Sequence, residues 1–270
     1  MNRQAYPTDL NDTQWALIAP HLPPRVNTRG RPRTWTDRDI VAAILYIVRG
    51  GCGWRLMPHD LPPWQTVYGY YWHWRNIGVW EKINAVLVQQ VRVRQGREPQ
   101  PSAGIIDSQS VKTSEGGEER GVDVYKQVSG RKRHIVVDTL GLLLLVLVHR
   151  ASMPDGNGGK LVLAKLFERI KHSIYNRWCR FKLIWADGAY EDITTWVKQH
   201  FGWRLEVVRR PPEAKGFQIL PRRWVVERTF AWLGRYRRLA RDYEHQTRSS
   251  ESMVYIASIH RMLRLLACKT

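Results

Sequence analysis

An α/β fold preceded by an all-helical N-terminal segment is what this sequence predicts. Apolar residues repeat at helical spacing up to about residue 94, and short apolar runs of β type alternate with helical stretches after residue 102. Between the two regimes lies Arg94-Gln95-Gly96-Arg97-Glu98-Pro99-Gln100-Pro101-Ser102, a polar stretch with the residues of a linker. The expected division is a helical domain at 1–98, a mixed domain at 99–248 and a C-terminal helix at 249–270.

In the first part, Asn11 precedes a short helix with Gln14 at its third position, a capping-box arrangement. Trp15, Ile18 and Leu22 fall on one face of it. Thr36 caps a second helix, whose Ile40, Ala43, Ile44, Ile47 and Val48 keep helical spacing until Gly50-Gly51 stops it. A third starts near Pro63 and crowds Trp64, Tyr68, Tyr70, Tyr71, Trp72 and Trp74 together. A fourth runs from about Val79, with Trp80, Ile83, Leu87 and Val91 inward.

Beyond the linker, strands are expected at Ala103–Ile106, His134–Asp138 and Leu142–His149, the last two joined by a tight turn at Gly141. A helix from Gly158 to about Asn176 follows, then a strand at Phe181–Ala186, a helix at Glu191–Phe201 and a strand at Leu205–Val208. Pro221 opens a further helix, where its missing N–H costs nothing. Ser250–Cys268 reads as an amphipathic helix. The order β-β-β-α-β-α-β-α is that of a ribonuclease H-like core.

Lys and Arg total 43 against 24 acidic residues, a net charge of +19 and a pI near 10.3. Such an excess repels itself in a folded chain, and a polyanion relieves it. Nucleic acid is the first candidate partner and an anionic membrane the second. Short helices with a basic surface suit a helix-turn-helix-like DNA-binding domain. Cys52, Cys179 and Cys268 lie too far apart for a zinc pair or a disulfide framework. The N-terminus lacks a signal peptide's apolar stretch, and the longest apolar run, Leu142–Val148, is far short of the ~20 residues a membrane helix needs. A soluble, cytoplasmic protein with no membrane span is expected.

Asp107 follows the apolar Gly104-Ile105-Ile106, and Asp187 follows Leu183-Ile184-Trp185-Ala186. Sites in open α/β sheets collect beyond the carboxyl ends of strands. Two such aspartates on neighbouring parallel strands repel one another unless a cation sits between them. Glu227, expected in the second turn of its helix, supplies a third carboxylate. Three such groups make an oxygen-rich site for two Mg²⁺ ions, which can activate an attacking oxygen and stabilise a leaving one. Mn²⁺ is the expected substitute. Asp138, Asp155 and Glu191 compete for these roles, but each has a structural explanation: a strand end, a Gly-rich turn and a helix first turn.

The chain resembles the DDE transposases of bacterial insertion sequences, the IS-five group in particular. The resemblance is carried by Leu10-Asn11-Asp12-Thr13-Gln14-Trp15, Gly50-Gly51-Cys52-Gly53-Trp54-Arg55, Pro62-Pro63-Trp64-Gln65-Thr66-Val67-Tyr68, Ile106-Asp107-Ser108-Gln109-Ser110, Gly130-Arg131-Lys132-Arg133-His134, Ala186-Asp187-Gly188-Ala189-Tyr190 and the stretch from Trp224 to Leu233. It implies a ribonuclease H-like catalytic fold, Mg²⁺ dependence, work on terminal inverted repeats and target DNA, and Asp107, Asp187 and Glu227 as the catalytic triad. Related transposases carry Tyr-x2-Arg-x3-Glu-x6-Lys around the glutamate. Here Arg223 and Glu227 match, whereas Leu220 and Gly234 replace the Tyr and the Lys, with Arg235 beside the latter. The resemblance therefore does not extend to a hairpin-making step that relies on those two positions.

Arg29-Gly30-Arg31-Pro32-Arg33 contains the Gly-Arg-Pro core of a minor-groove hook, and equally reads as a plain basic linker. Lys126, Arg131, Lys132 and Arg133 are expected to clamp phosphates near the site. After Glu227, the residues Arg228, Arg235, Arg237, Arg238 and Arg241 are expected to crowd one helix that faces DNA. Two rivals remain beside a transposase: a nuclease of the same fold that cuts and never joins, and a non-catalytic DNA-binding derivative. Joining two ends needs two active sites, so a homodimer on DNA is expected.

Overall fold

The computed structural model describes residues 3–24, 34–114, 116–172, 180–209 and 222–268. Arg29, Arg31, Arg33, Leu220 and Pro221 lie outside the described residues. Four helices come first: α1 (Asp12–Ile18), α2 (Asp37–Gly50), α3 (Trp64–Asn76) and α4 (Val79–Arg94). Asn11 accepts from the Gln14 amide at 2.8 Å while the Gln14 side chain accepts from the Asn11 amide at 3.0 Å, which closes the expected capping box. Thr36 and Asp39 do the same at the start of α2, and Gly51 ends it at φ +79°, where a side chain would be strained.

The sheet follows: β1 (Ala103–Lys112), β2 (Gly121–Asp123), β3 (Val128–Asp138), β4 (Leu143–Arg150), α5 (Asp155–His172), β5 (Leu183–Ala186), α6 (Thr194–Phe201) and β6 (Arg204–Val207). Antiparallel β3 links β1 to both β4 and the short β2, and β5 and β6 extend the other edge in parallel with β1. α7 (Trp224–Leu233) lies against β1 and β3, and α8 (Thr247–Ala267) ends the described chain. The expected element order stands, with β2 added and β1 six residues longer than its apolar run. Val111 aside, the added stretch is polar, so periodicity could not reveal that β3 pairs with it as far as Lys112.

One expectation is corrected. α8 is not amphipathic, because every residue from Ser249 to His260 is buried between the N-terminal helices and β4. Several of its polar groups find partners there: Glu251 accepts from the Val148 amide at 3.0 Å and from Lys165 at 3.1 Å, and Ser249 accepts from Arg75. One apolar core runs from Leu10 to Leu263, so the polar stretch at 94–102 joins two parts of a shared core. Among the described residues, no helix is long and apolar enough to cross a membrane.

Candidate active site

β1 and β5 pair in parallel with Ile105 opposite Trp185. Carried forward two residues, that register sets Asp107 level with Asp187, on strands about 5 Å apart. β5 stops at Ala186, whereas β1 continues, so Asp107 lies inside its strand at the crevice where its parallel neighbour ends. Asp187 caps the turn after β5, its Oδ1 accepting from the Ala189 amide at 2.9 Å. Glu227 is the fourth residue of α7, one turn earlier in the helix than expected.

Arg223 joins the third carboxylate to the pair. Its Nη2 stands 3.5 Å from Asp187 Oδ2 and 3.5 Å from Glu227 Oε1. The Asp107 carboxyl is pushed up to about 6, chiefly by burial and further by the charge of Asp187; the Ser108 amide, Arg223 and Lys126 pull the other way. Lys126 Nζ sits 3.4 Å from the Ser108 carbonyl. The donor set is all oxygen, as a hard divalent cation requires, and its charges already gather about one cation, Arg223. Among the described residues, however, no three His, Cys, Asp or Glu side chains stand close enough to share an ion. The donors fit a divalent ion in kind, with the guanidinium lying between two of them.

Behind Asp107 lies a network that sequence reasoning passed over. Asp155, read as a turn residue, accepts from Ser108 Oγ at 2.8 Å and pairs with Lys132 at 3.0 Å. Lys132 also faces Asp123 at 3.5 Å, and Asp123 accepts from Ser110 at 2.6 Å. His134 Nδ1 meets His149 Nε2 at 2.7 Å, and His149 Nδ1 lies 2.9 Å from the Arg150 carbonyl. A carbonyl only accepts, so His149 carries its proton on Nδ1 and takes one from His134 on Nε2. A Cβ at Gly158 would come within 2.5 Å of His134, so only glycine lets α5 lie on this pair. Tyr190 is buried beside them, its phenol held protonated by burial and by the charges of Asp107, Asp155 and Asp187. The one signal in the sequence was Asp155 in a Gly-rich stretch, which reads as a turn residue and does not name its partners.

The competing acids take structural places. Asp138 is buried against Arg92, and Glu191 pairs with Arg209 on the surface.

The expected phosphate clamps divide. Lys126, Arg223, Arg228, Arg235 and Arg237 reach solvent at least in part. Arg131, Lys132, Arg133 and Arg238 are buried, which corrects their reading as DNA contacts. Arg131 donates to the carbonyls of Glu118, Glu244 and His245 and pairs with Asp242 at 3.3 Å. Arg133 donates to the carbonyls of Leu239 and Arg241, and Arg238 pairs with Glu244 at 2.8 Å. Nor do the arginines after Glu227 share one helix, since α7 ends at Leu233 and only Arg228 lies on it.

A family model of IS4/5-family transposases (DUF4096) matches residues 10–84, and the transposase DDE domain model matches residues 98–262. The uncharacterized protein y4sN of Sinorhizobium fredii is 32% identical over 81 residues, 30% of this chain and 64% of that protein. The insertion element IS402 uncharacterized 16.2 kDa protein of Burkholderia cepacia is 26% identical over 118 residues, 42% of this chain and 78% of that one. No solved structure matches. With the DDE domain model spanning more than half of its length, the chain belongs to the transposase DDE domain family.

Proposed function

We propose that the chain is a cytoplasmic DNA transposase that binds terminal inverted repeats, cuts at the element ends and joins the freed 3′-hydroxyls to target DNA. The observation that carries this reading is Asp107 level with Asp187 at the crevice, with Glu227 tied to the pair through Arg223. The strand order, three antiparallel strands followed by two parallel ones on the far edge, supports a ribonuclease H-like core.

Asp107, Asp187 and Glu227 would hold divalent ions, Mg²⁺ or Mn²⁺. When bound, the metal supplies activation of the attacking oxygen and stabilisation of the leaving one. In cleavage, a water oxygen bonds to phosphorus as the P–O3′ bond breaks, leaving a 3′-hydroxyl and a 5′-phosphate. In joining, that hydroxyl attacks a target phosphodiester and displaces another 3′-oxygen, so the number of phosphodiester bonds is conserved. Arg223 and Lys126 place positive charge beside the phosphate. Arg228, Arg235 and Arg237 extend that charge along the duplex, and Arg29, Arg31 and Arg33 serve as the minor-groove arm. Two ends require two such sites, hence a homodimer on DNA.

The test is strand transfer with a pre-cut terminal repeat, a plasmid target and Mg²⁺. Covalent joining is expected. Cutting without joining would assign the chain to the nuclease reading, and neither activity to the non-catalytic one.

The Asp155 network adds an expected result. Partners that orient metal-ligating groups are worth about 10–100-fold in activity. Asp155→Ala should slow cleavage by about that factor, because Ser108 and the strand carrying Asp107 lose their anchor, while affinity for DNA holds. Unchanged cleavage rates would reduce the network to sheet support.

A further inference from the structure

Most inward-facing arginines of this fold are neutralised. Arg92 meets Asp138, Arg131 meets Asp242, Arg238 meets Glu244, and Arg133 is held by two carbonyls. One place breaks the pattern. A pocket of about 370 Å³ between α2, α7 and α8 is lined by Arg49, Arg235, Arg261 and Arg264 together with Trp232 and Tyr236, and no acidic side chain among the described residues lines it. None of the four arginines has a carboxylate partner among the described residues.

Two of the four guanidinium groups, those of Arg49 and Arg261, stand over rings, as does the neighbouring Arg228 of α7. Arg228 lies 4.3 Å from the Trp224 ring centre and 4.4 Å from that of Trp232, and Arg261 lies 3.3 Å from Trp232. Trp224, Arg228 and Trp232 succeed one another at four-residue spacing, so they form a ladder along one side of α7 that ends on Arg261. Arg49 lies 5.1 Å from the Tyr236 ring centre and donates to the Arg235 carbonyl at 2.6 Å. Stacking leaves the edges of a guanidinium free for hydrogen bonds. The pocket's field is also visible in its neighbours. Burial and then the charge of Arg228 bring Arg261 down to about 10, and burial with Arg264 and Arg49 brings His260 down to about 4. Arg49 and Arg261 are half-buried and Arg235 and Arg264 exposed, and such a gathering of cations repels itself, a cost that an oxyanion removes.

We propose that this pocket is a second phosphate site, which takes the backbone of the duplex a few nucleotides from the bond cut at Asp107, Asp187 and Glu227. The occupant is a DNA phosphate because the ladder begins on α7 beside Glu227 itself. Seven residues of helix from Glu227 to Gly234 rise about 10 Å. At about 3.4 Å per nucleotide on one strand, that span covers roughly three phosphates. A volume of this size lies in the range of small-molecule sites, so a sugar fits with its phosphate. Contacts of this kind position the duplex and carry no sequence information.

The inference rests on the DNA-acting reading above. Its test uses the full chain, duplex DNA carrying the terminal repeat, and binding measured without divalent metal over a salt series. The double variant Arg261→Gln/Arg264→Gln should bind about tenfold more weakly, with a log–log salt slope shallower by about 0.9 for one lost phosphate. The same loss should appear on an unrelated duplex. A scan of neutral methylphosphonate linkages should find one position, near three nucleotides from the cut, that weakens the wild type and leaves the variant unaffected. Arg264→Glu, on an exposed side chain, repeats the measurement should the double variant fail to fold. An unchanged slope in either variant overturns the proposal. So does a pocket that binds inorganic phosphate while DNA affinity is unaltered, or one whose variants change only self-association. If the wild type neither cuts nor joins DNA, the transposase reading fails, yet the salt slope still decides whether this pocket holds a phosphate.

Discussion

Asp107→Asn should reduce Mg²⁺-dependent DNA cleavage by about 10³-fold or more, some 4 kcal/mol of barrier, with binding of the terminal repeat nearly unchanged. Asp187→Asn should do the same to cleavage. The two variants part company in stability without metal. Asp187 caps its turn through the Ala189 amide and lies beside Arg223, so its charge is partly compensated. Asp107 carries the cost, its carboxyl pushed up to about 6 by burial and by Asp187. The sign follows from proton binding. Between the ordinary carboxylate value near 4 and the folded value near 6, the folded chain holds a proton that the unfolded chain has lost. Stability from this group therefore falls as pH rises through that window and stays low above it. Asp107→Asn removes the loss, so the metal-free variant should melt higher than wild type at pH 8 and nearly match it at pH 4. The gain is on the order of 1 kcal/mol, discounted because the side chain is only part-buried. Undiminished cleavage, or a strong loss of stability at pH 8, would mean that Asp107 is a structural residue.

Asp138→Ala should be the most destabilising single change in the sheet. Asp138 is fully buried; its Oδ1 accepts from the Leu140 and Leu142 amides at 2.9 and 2.8 Å, and its Oδ2 from Arg92. Arg92 is buried too and, among the described residues, reaches only one other acceptor, the Glu98 carbonyl at 2.8 Å. Removing one partner of a buried pair strands the other charge and costs about 3–5 kcal/mol. Two amides of the turn into β4 lose their acceptor as well. A fall in melting temperature of roughly 10 °C is expected. Adding Arg92→Met should recover a substantial part, since removing both charges costs less than removing one. A small loss for Asp138→Ala, or no recovery in the double variant, would show that the pair does not hold α4 to the sheet.

Much of this protein was legible from its residues in order. The runs Ile135-Val136-Val137 and Leu143–Val148 could only be buried strands, Asn11 with Gln14 and Thr36 before its helix fixed two helix starts, and Asp107 and Asp187 each followed an apolar strand. Those signals are local, set by periodicity and capping within a few residues. Long-range contacts decided the rest. The run Arg131-Lys132-Arg133 reads in sequence as a phosphate clamp, yet four of the carbonyls that hold Arg131 and Arg133 inside come from residues more than a hundred positions later. Ser250–Cys268 read as an amphipathic helix, but β4 and the N-terminal helices bury every residue from Ser249 to His260. Asp155 reached Ser108 only because α5 folds back over β3. The four arginines near Trp232 come from α2, α8 and the turn after α7, and met only when those elements packed. The chemistry of each side chain belongs to the sequence. Whether a charge faces water, a carbonyl or another charge is settled by packing between distant segments, which no local pattern encodes.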